Sequence, residues 1–178
     1  MTEKFTVGKI EQLTQEPQIR LDQHLIATKE IHIPMPTIVD KAKLFARAKH
    51  VGHLDDDGQD YFTAHLWHVA SIVEIAKPQD QALVAAAYLH DTLEDTDTTY
   101  EELKENFGQR VADLVHEVTH DGEKDNYGRY FPRLKTRDAI VLKLADRISN
   151  LLRMDSWPEK RKEQYLRKTK FWKDGTDR

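Results

Sequence analysis

Cysteine is absent from the 178 residues, no apolar run is long, and positive charge is not in excess. Each absence excludes something. Without cysteine there is no disulfide framework and no thiolate-based metal site, and the composition suits a cytoplasmic protein. No stretch approaches the roughly 20 apolar residues of a membrane span. The opening Met1-Thr2-Glu3-Lys4-Phe5-Thr6 lacks the apolar core of a signal peptide, so no membrane partner is expected. A formal net charge of −4 argues against a surface built to grip nucleic-acid backbones, which makes any phosphate binding a local affair. What is present is enough for one buried core, since 39% of the residues are hydrophobic in a chain of single-domain length.

Proline and glycine break up the first 36 residues at Gly8, Pro17, Pro34 and Pro36, which predicts an irregular, extended or hairpin-like N-terminal extension. From residue 37 onward the apolar period is helical. Ile38, Val39, Ala42, Phe45 and Ala46 predict a helix from Thr37 to about Val51, and Phe62, Leu66, Val69, Ile72 and Ile75 a second one from Tyr61 to Ala76, stopped by Pro78. Asp80 suits the N-cap of a third helix, apolar on most sides through Leu89 and hence central. Thr98 or Thr99 with Glu101 and Glu102 opens a short helix that ends near Gly108, and Val111 to Val118 continues in another. Gly122 to Lys135 is polar with several aromatics and is expected to be a loop or lid. Further helices are predicted from about Thr136 through Leu151 and after Pro158. The expected fold is an all-α bundle over residues 37–178, preceded by the extension over 1–36.

The chemistry concentrates where the central helix ends. His90-Asp91-Thr92-Leu93-Glu94-Asp95-Thr96 places one histidine and three carboxylates in six consecutive residues. His65 upstream and Asp146 downstream lie on helices of their own, so His65, His90, Asp91 and Asp146 could converge from three helices. Two imidazoles and two carboxylates suit one borderline or hard divalent ion such as Mn²⁺, Fe²⁺ or Zn²⁺. His90 and Asp91, about 100° apart on a helix, can share an ion only near a helix end, and the threonines and acids that follow favour such an end. Glu94 and Asp95 follow Asp91 by about one turn, so at least one faces the same site.

These strings resemble the hydrolase domain of the RelA/SpoT family of HD phosphohydrolases, especially its small stand-alone alarmone hydrolases of the metazoan SpoT-homologue type, over roughly residues 37 to 170. The resemblance is carried by His50-x-Gly52, Gly58-x-x-Tyr61, His65-x-x-x-Val69-Ala70, Leu89-His90-Asp91-Thr92-x-Glu94-Asp95-Thr96, Phe107-Gly108, Val118-Thr119 and Lys143-Leu144-Ala145-Asp146-Arg147-x-x-Asn150. It implies an HD-domain helical bundle that uses Mn²⁺ to remove pyrophosphate from the ribose 3′ position of nucleotides such as ppGpp. It further implies His65, His90, Asp91 and Asp146 as metal ligands, Glu94 and Asp95 as the acidic pair acting on the attacking water, and Asn150 near the leaving phosphate. Arg161 and Tyr165, one turn apart on the last helix, match a similarly spaced pair that touches the nucleotide. Arg161 ranks first among the phosphate-binding candidates, with Lys143 or Arg147 beside Asp146 next.

Several positions depart from the family pattern. Asp55 stands where the family carries an arginine that packs on the guanine base, Asp60 replaces the proline before Tyr61, Leu66 replaces the proline after His65, and one additional residue separates Tyr61 from His65. These changes bear on the base pocket and leave adenine-type alarmones as substrates alongside guanine. An HD phosphohydrolase acting on another nucleotide, as a 5′-nucleotidase or dNTP hydrolase, and a low-turnover nucleotide sensor are the alternatives. Asp55 to Asp57 read as a solvated loop, His68 as a surface or supporting residue, and His24, His32, His116 and His120 as structural. Self-association stays open. A free-standing hydrolase is expected, since the hydrolase-like region takes up nearly the whole sequence.

Overall fold

A computed structural model describes residues 35–124 and 130–168. The expected irregular extension lies outside the described residues, apart from Met35 and Pro36, as do His24 and His32. The first helix, α1 (Ile38–Lys49), begins with reciprocal caps: Thr37 Oγ1 accepts the Asp40 N–H at 3.1 Å and Asp40 Oδ2 accepts the Thr37 N–H at 2.9 Å. Its fully buried Ala42 and Ala46 face the core, and α1 packs along α3 (Gln81–Leu89).

The second predicted helix is continuous but not uniform. It opens as a π-turn, Phe62–Leu66, and continues as α2 (Trp67–Ala76). The Trp67 N–H reaches back five residues to the Phe62 carbonyl. A π-turn is how a helix absorbs one extra residue without rotating what lies on either side. Here the Tyr61 hydroxyl and His65 Nε2 both face Asp91 Oδ2, at 2.6 and 3.4 Å. Asp60 has a cap's work, accepting from the Thr63 backbone at 3.0 Å and its hydroxyl at 2.7 Å.

Asp80 caps α3 as expected, accepting from Leu83 N. Every residue from Leu83 to Leu89 is buried, so α3 is the central helix, contacted by α1, α2, α6 and α7. One turn, α4 (Thr92–Asp95), follows it. Thr99 caps α5 (Tyr100–Phe107), and Gly108, at φ +84°, takes the left-handed turn into α6 (Gln109–Val118).

The segment expected to be a loop or lid instead contains two short antiparallel strands, β1 (His120–Lys124) and β2 (Tyr130–Pro132). Buried Glu117 joins α6 to α7 (Arg137–Leu152): it accepts the backbone N–H groups of Lys135 and Thr136 just ahead of that helix. A 3₁₀ turn, Met154–Ser156, leads to α8 (Glu159–Lys168). Among the described residues the fold is all-α apart from two short strands, and no helix is long and apolar enough to cross a membrane.

Candidate metal centre and active-site cleft

Three elements deliver the four expected ligands: the π-turn brings His65, the end of α3 brings His90 and Asp91, and α7 brings Asp146. Asp91 Oδ2 lies 3.0 Å from His90 Nε2 and 3.4 Å from His65 Nε2, and Asp146 Oδ1 lies 3.5 Å from His65 Nε2 and 3.9 Å from His90 Nε2. His65, His90 and Asp146 are buried.

Hydrogen bonds fix which ring nitrogens face the cluster. His90 Nδ1 is 2.9 Å from the Ala87 carbonyl, which can only accept, so Nδ1 carries a proton and Nε2 is the ring nitrogen that faces the cluster. That buried Nε2 has no hydrogen-bond donor. Facing two carboxylates, it calls for positive charge there, as its own proton or as a cation between them. His65 Nδ1 lies 3.0 Å from Ser149 Oγ, which in turn lies 3.2 Å from His68 Nδ1, so the His65 Nε2 also faces the cluster. His68 therefore supports the site through Ser149, in line with one of its two expected readings.

The electrostatics favour positive charge here. Burial works against a charged His90, yet Asp91 and Asp146 outweigh it and lift the imidazole to about 9. Burial likewise opposes ionisation of Asp146, but the Lys143 ammonium at 3.0 Å, with the histidines, holds it far below the usual carboxylate range. The residues present fit a divalent ion.

Asp91 and Asp146 open into a solvent-facing cleft of about 250 Å³. Glu94 and Asp95 line it beside Asp91, both on α4. Glu94 Oε1 accepts the His120 N–H at 2.9 Å. Burial, then the nearby charges of Asp91 and Glu94, push the Asp95 carboxyl up to about 6.

A second wall comes from α7, where Lys143, Asp146, Arg147 and Asn150 repeat at i, i+3, i+4 and i+7 on one face. Both Lys143 and Arg147 share Asp146's face, although the expectation allowed only one to do so easily. Asn150 Nδ2 donates to Asp146 Oδ1 at 2.7 Å.

The last helix behaves differently from expectation. Arg161 does not line the cleft: it is ion-paired with Asp56 and its guanidinium lies 4.2 Å from the Trp157 ring centroid. Tyr165 stands one residue back, its hydroxyl accepting from Arg147 Nη1 at 3.0 Å. The acidic run is solvated only in part, with Asp56 and Asp57 exposed. Asp55, with a side chain only 6% exposed, pairs with Arg153 at 3.3 Å, and Asp57 accepts from Ser156 at 2.7 Å. Together with Asp56 and Arg161, these contacts fasten the 55–57 turn to the segment between α7 and α8.

The HD-domain family profile matches residues 42–127. A MESH1 protein of Xenopus tropicalis, called a guanosine-3′,5′-bis(diphosphate) 3′-pyrophosphohydrolase, is 32% identical over 143 residues, which cover 72% of this chain and 79% of that protein. The chain belongs to the HD-domain family, in the branch that holds MESH1 and SpoT. An Aquifex aeolicus protein bearing the same enzyme name is 36% identical over 141 residues, but the chain spans only 20% of its length. The solved structure of a metazoan SpoT orthologue, described as hydrolysing ppGpp, superposes with a TM-score of 0.61 at 25% identity, covering 76% of this chain and 84% of that one.

Four residues of this HD domain's site were not among the expected ones. Tyr61 lines the cleft and donates its hydroxyl to Asp91 Oδ2 at 2.6 Å; burial and the neighbouring Asp91 charge raise its pKa, so it stays protonated as a donor. Ser149 orients His65. His120, expected to be structural, and Tyr130 also line the cleft. The Tyr61 role had a signal in the Gly58-x-x-Tyr61 string; Ser149 lay three residues past Asp146 with nothing to distinguish it from a core serine.

Proposed function

We propose that the chain hydrolyses the 3′-pyrophosphate of guanosine or adenosine alarmones of the (p)ppGpp and (p)ppApp type, releasing pyrophosphate and the 5′-nucleotide in a Mn²⁺-dependent reaction in the cytoplasm. One observation carries this reading: the His65, His90, Asp91 and Asp146 cluster meets the carboxylates Glu94 and Asp95 and the cations Lys143 and Arg147 in a single cleft. The enzyme name borne by the Xenopus and Aquifex relatives and the description of the SpoT orthologue support it.

His65, His90, Asp91 and Asp146 would hold the ion, and Mn²⁺ suits that mixture of imidazole and carboxylate. When bound, the ion supplies neutralisation of charge on phosphoryl oxygens and a more acidic water. Asp95, with its carboxyl near 6, is ionised at neutral pH and accepts the proton of the attacking water. Glu94, held by the His120 N–H, orients that water. Lys143 and Arg147 take the charge of the 3′-pyrophosphate, with Arg147 braced by Tyr165. Asn150 lies beside them and steadies Asp146. The bond broken joins the ribose 3′ oxygen to the first phosphorus, so pyrophosphate leaves with the water's oxygen and the ribose keeps a 3′ hydroxyl.

The test is pyrophosphate release from ppGpp and ppApp with Mn²⁺, run beside Asp91→Ala. Release from at least one substrate, abolished in the variant, is expected. No release from either by protein that has bound Mn²⁺ contradicts the reading.

A further inference from the structure

The strands after α6 give the cleft an aromatic wall. In the register of β1 with β2, His120 stands opposite Pro132, so Tyr130, two residues before Pro132, projects to the same face on the diagonal. The rings of His120 and Tyr130 are stacked, with centroids 4.2 Å apart and planes inclined by 13°. Phe131 alternates to the opposite face and is buried, which seats the strand. His120, Tyr130 and Pro132 all line the cleft, and Tyr130 remains 40% exposed there.

This wall complements the others. The cluster with Glu94 and Asp95 is acidic, α7 contributes Lys143 and Arg147, and the strands contribute flat aromatic surface. A nucleotide with a 3′-pyrophosphate has the matching pieces: phosphates for the cations and a planar base for a ring stack. Tyr61, another aromatic residue in the lining, is committed through its hydroxyl to Asp91, with its ring against His50 and His65. Asp55 and Arg161 are engaged by Arg153 and by Asp56 with Trp157. The platform is also tied to the chemistry, because the His120 N–H that starts β1 is the donor to Glu94.

We propose that the stacked His120–Tyr130 pair is the nucleobase platform of this cleft, with the base extending the stack while the 3′-pyrophosphate reaches the metal cluster. This rests on the nucleotide reading above and names its specificity-determining residues. Stacking a base on an aromatic side chain is worth roughly 5- to 150-fold in affinity.

Equilibrium binding of the two products to the Mn²⁺-loaded protein tests it, since GDP carries a base and pyrophosphate does not. Tyr130→Ala is expected to weaken GDP binding about tenfold or more and leave pyrophosphate binding unchanged, while Tyr130→Phe binds both like the wild type. With ppGpp as substrate, the same variant raises KM by a similar factor and changes kcat by less than about threefold. Unchanged GDP affinity in Tyr130→Ala, or an equal loss for pyrophosphate, overturns the platform. Because binding is read without turnover, a wild-type protein that fails to cleave ppGpp counts against the proposed reaction alone.

Discussion

At the scale of single residues, the site is governed by which atom of each histidine carries a proton. Ala87 O accepts the His90 Nδ1 proton, and Ser149 Oγ holds His65 by its Nδ1, so both Nε2 atoms are turned to the carboxylates. Ser149 does not line the cleft, yet it is the group hydrogen-bonded to His65 Nδ1. Ser149→Ala should therefore lower Mn²⁺ affinity about 10- to 100-fold, the usual effect of losing a partner behind a metal ligand. Calorimetric titration reads this directly, with the thermal midpoint of the metal-free protein as the control for packing. Equal affinity in variant and wild type would show that the ring is held by packing alone.

At the scale of elements, the π-turn Phe62–Leu66 is the feature that carries His65 to the site. Because Phe62–Leu66 absorbs one residue locally, deleting Thr63 should convert the turn to regular α-helix and leave Tyr61 and His65 in place. The deletion variant is expected to fold and to bind Mn²⁺ within about tenfold of the wild type. By contrast, one residue inserted after Ala86, in the buried stretch of α3, rotates His90 and Asp91 by about 100° and abolishes binding. Metal titration of the two variants side by side decides it; loss of binding in the deletion would mean that the π-turn itself shapes the site.

Helix ends were legible in the sequence wherever a cap did local work: Thr37, Asp80, Thr99 and Thr136 each accept the backbone N–H three residues on. The convergence of His65, His90, Asp91 and Asp146 was legible too, because a polar cluster at the end of an apolar helix needs a partner. The strands were hidden, since His120-Asp121-Gly122-Glu123-Lys124 has no apolar alternation to mark a strand. Arg161 was misplaced for a related reason: helical spacing puts it on a face with Tyr165, but the choice of Asp56 as partner depends on a turn a hundred residues earlier in the chain.

At the scale of the molecule, the bundle is built around α3, and its ends are tied by ion pairs. Leu89 is fully buried immediately before His90, so Leu89→Ala should cost about 2–5 kcal/mol of stability, read by denaturant unfolding. Arg110 on α6 bonds both carboxylate oxygens of Asp80 at 2.6 Å, capping α3, and also reaches Asp138 at the start of α7. Its hydrogen bonds hold the Asp80 carboxyl below the usual range. A carboxyl lowered by folding stabilises above its unfolded value, near 3.9, and loses that contribution as pH falls through the folded value. Arg110 is half exposed, so Arg110→Ala should cost no more than about 1 kcal/mol at pH 7. The gap to wild type should shrink below about pH 4; a gap as wide at pH 3 as at pH 7 would refute the pairing.

The central claim is that the cluster under this cleft directs hydrolysis to one bond of a 3′-pyrophosphorylated nucleotide. The most direct measurement is the identity of the products from ppGpp and Mn²⁺, read by phosphorus NMR after the reaction is quenched and the ion chelated. GDP and inorganic pyrophosphate in equal amounts, absent with Asp91→Ala, is the predicted result. Release of orthophosphate, removal of phosphate from the 5′ side, or intact ppGpp with the ion bound would contradict it.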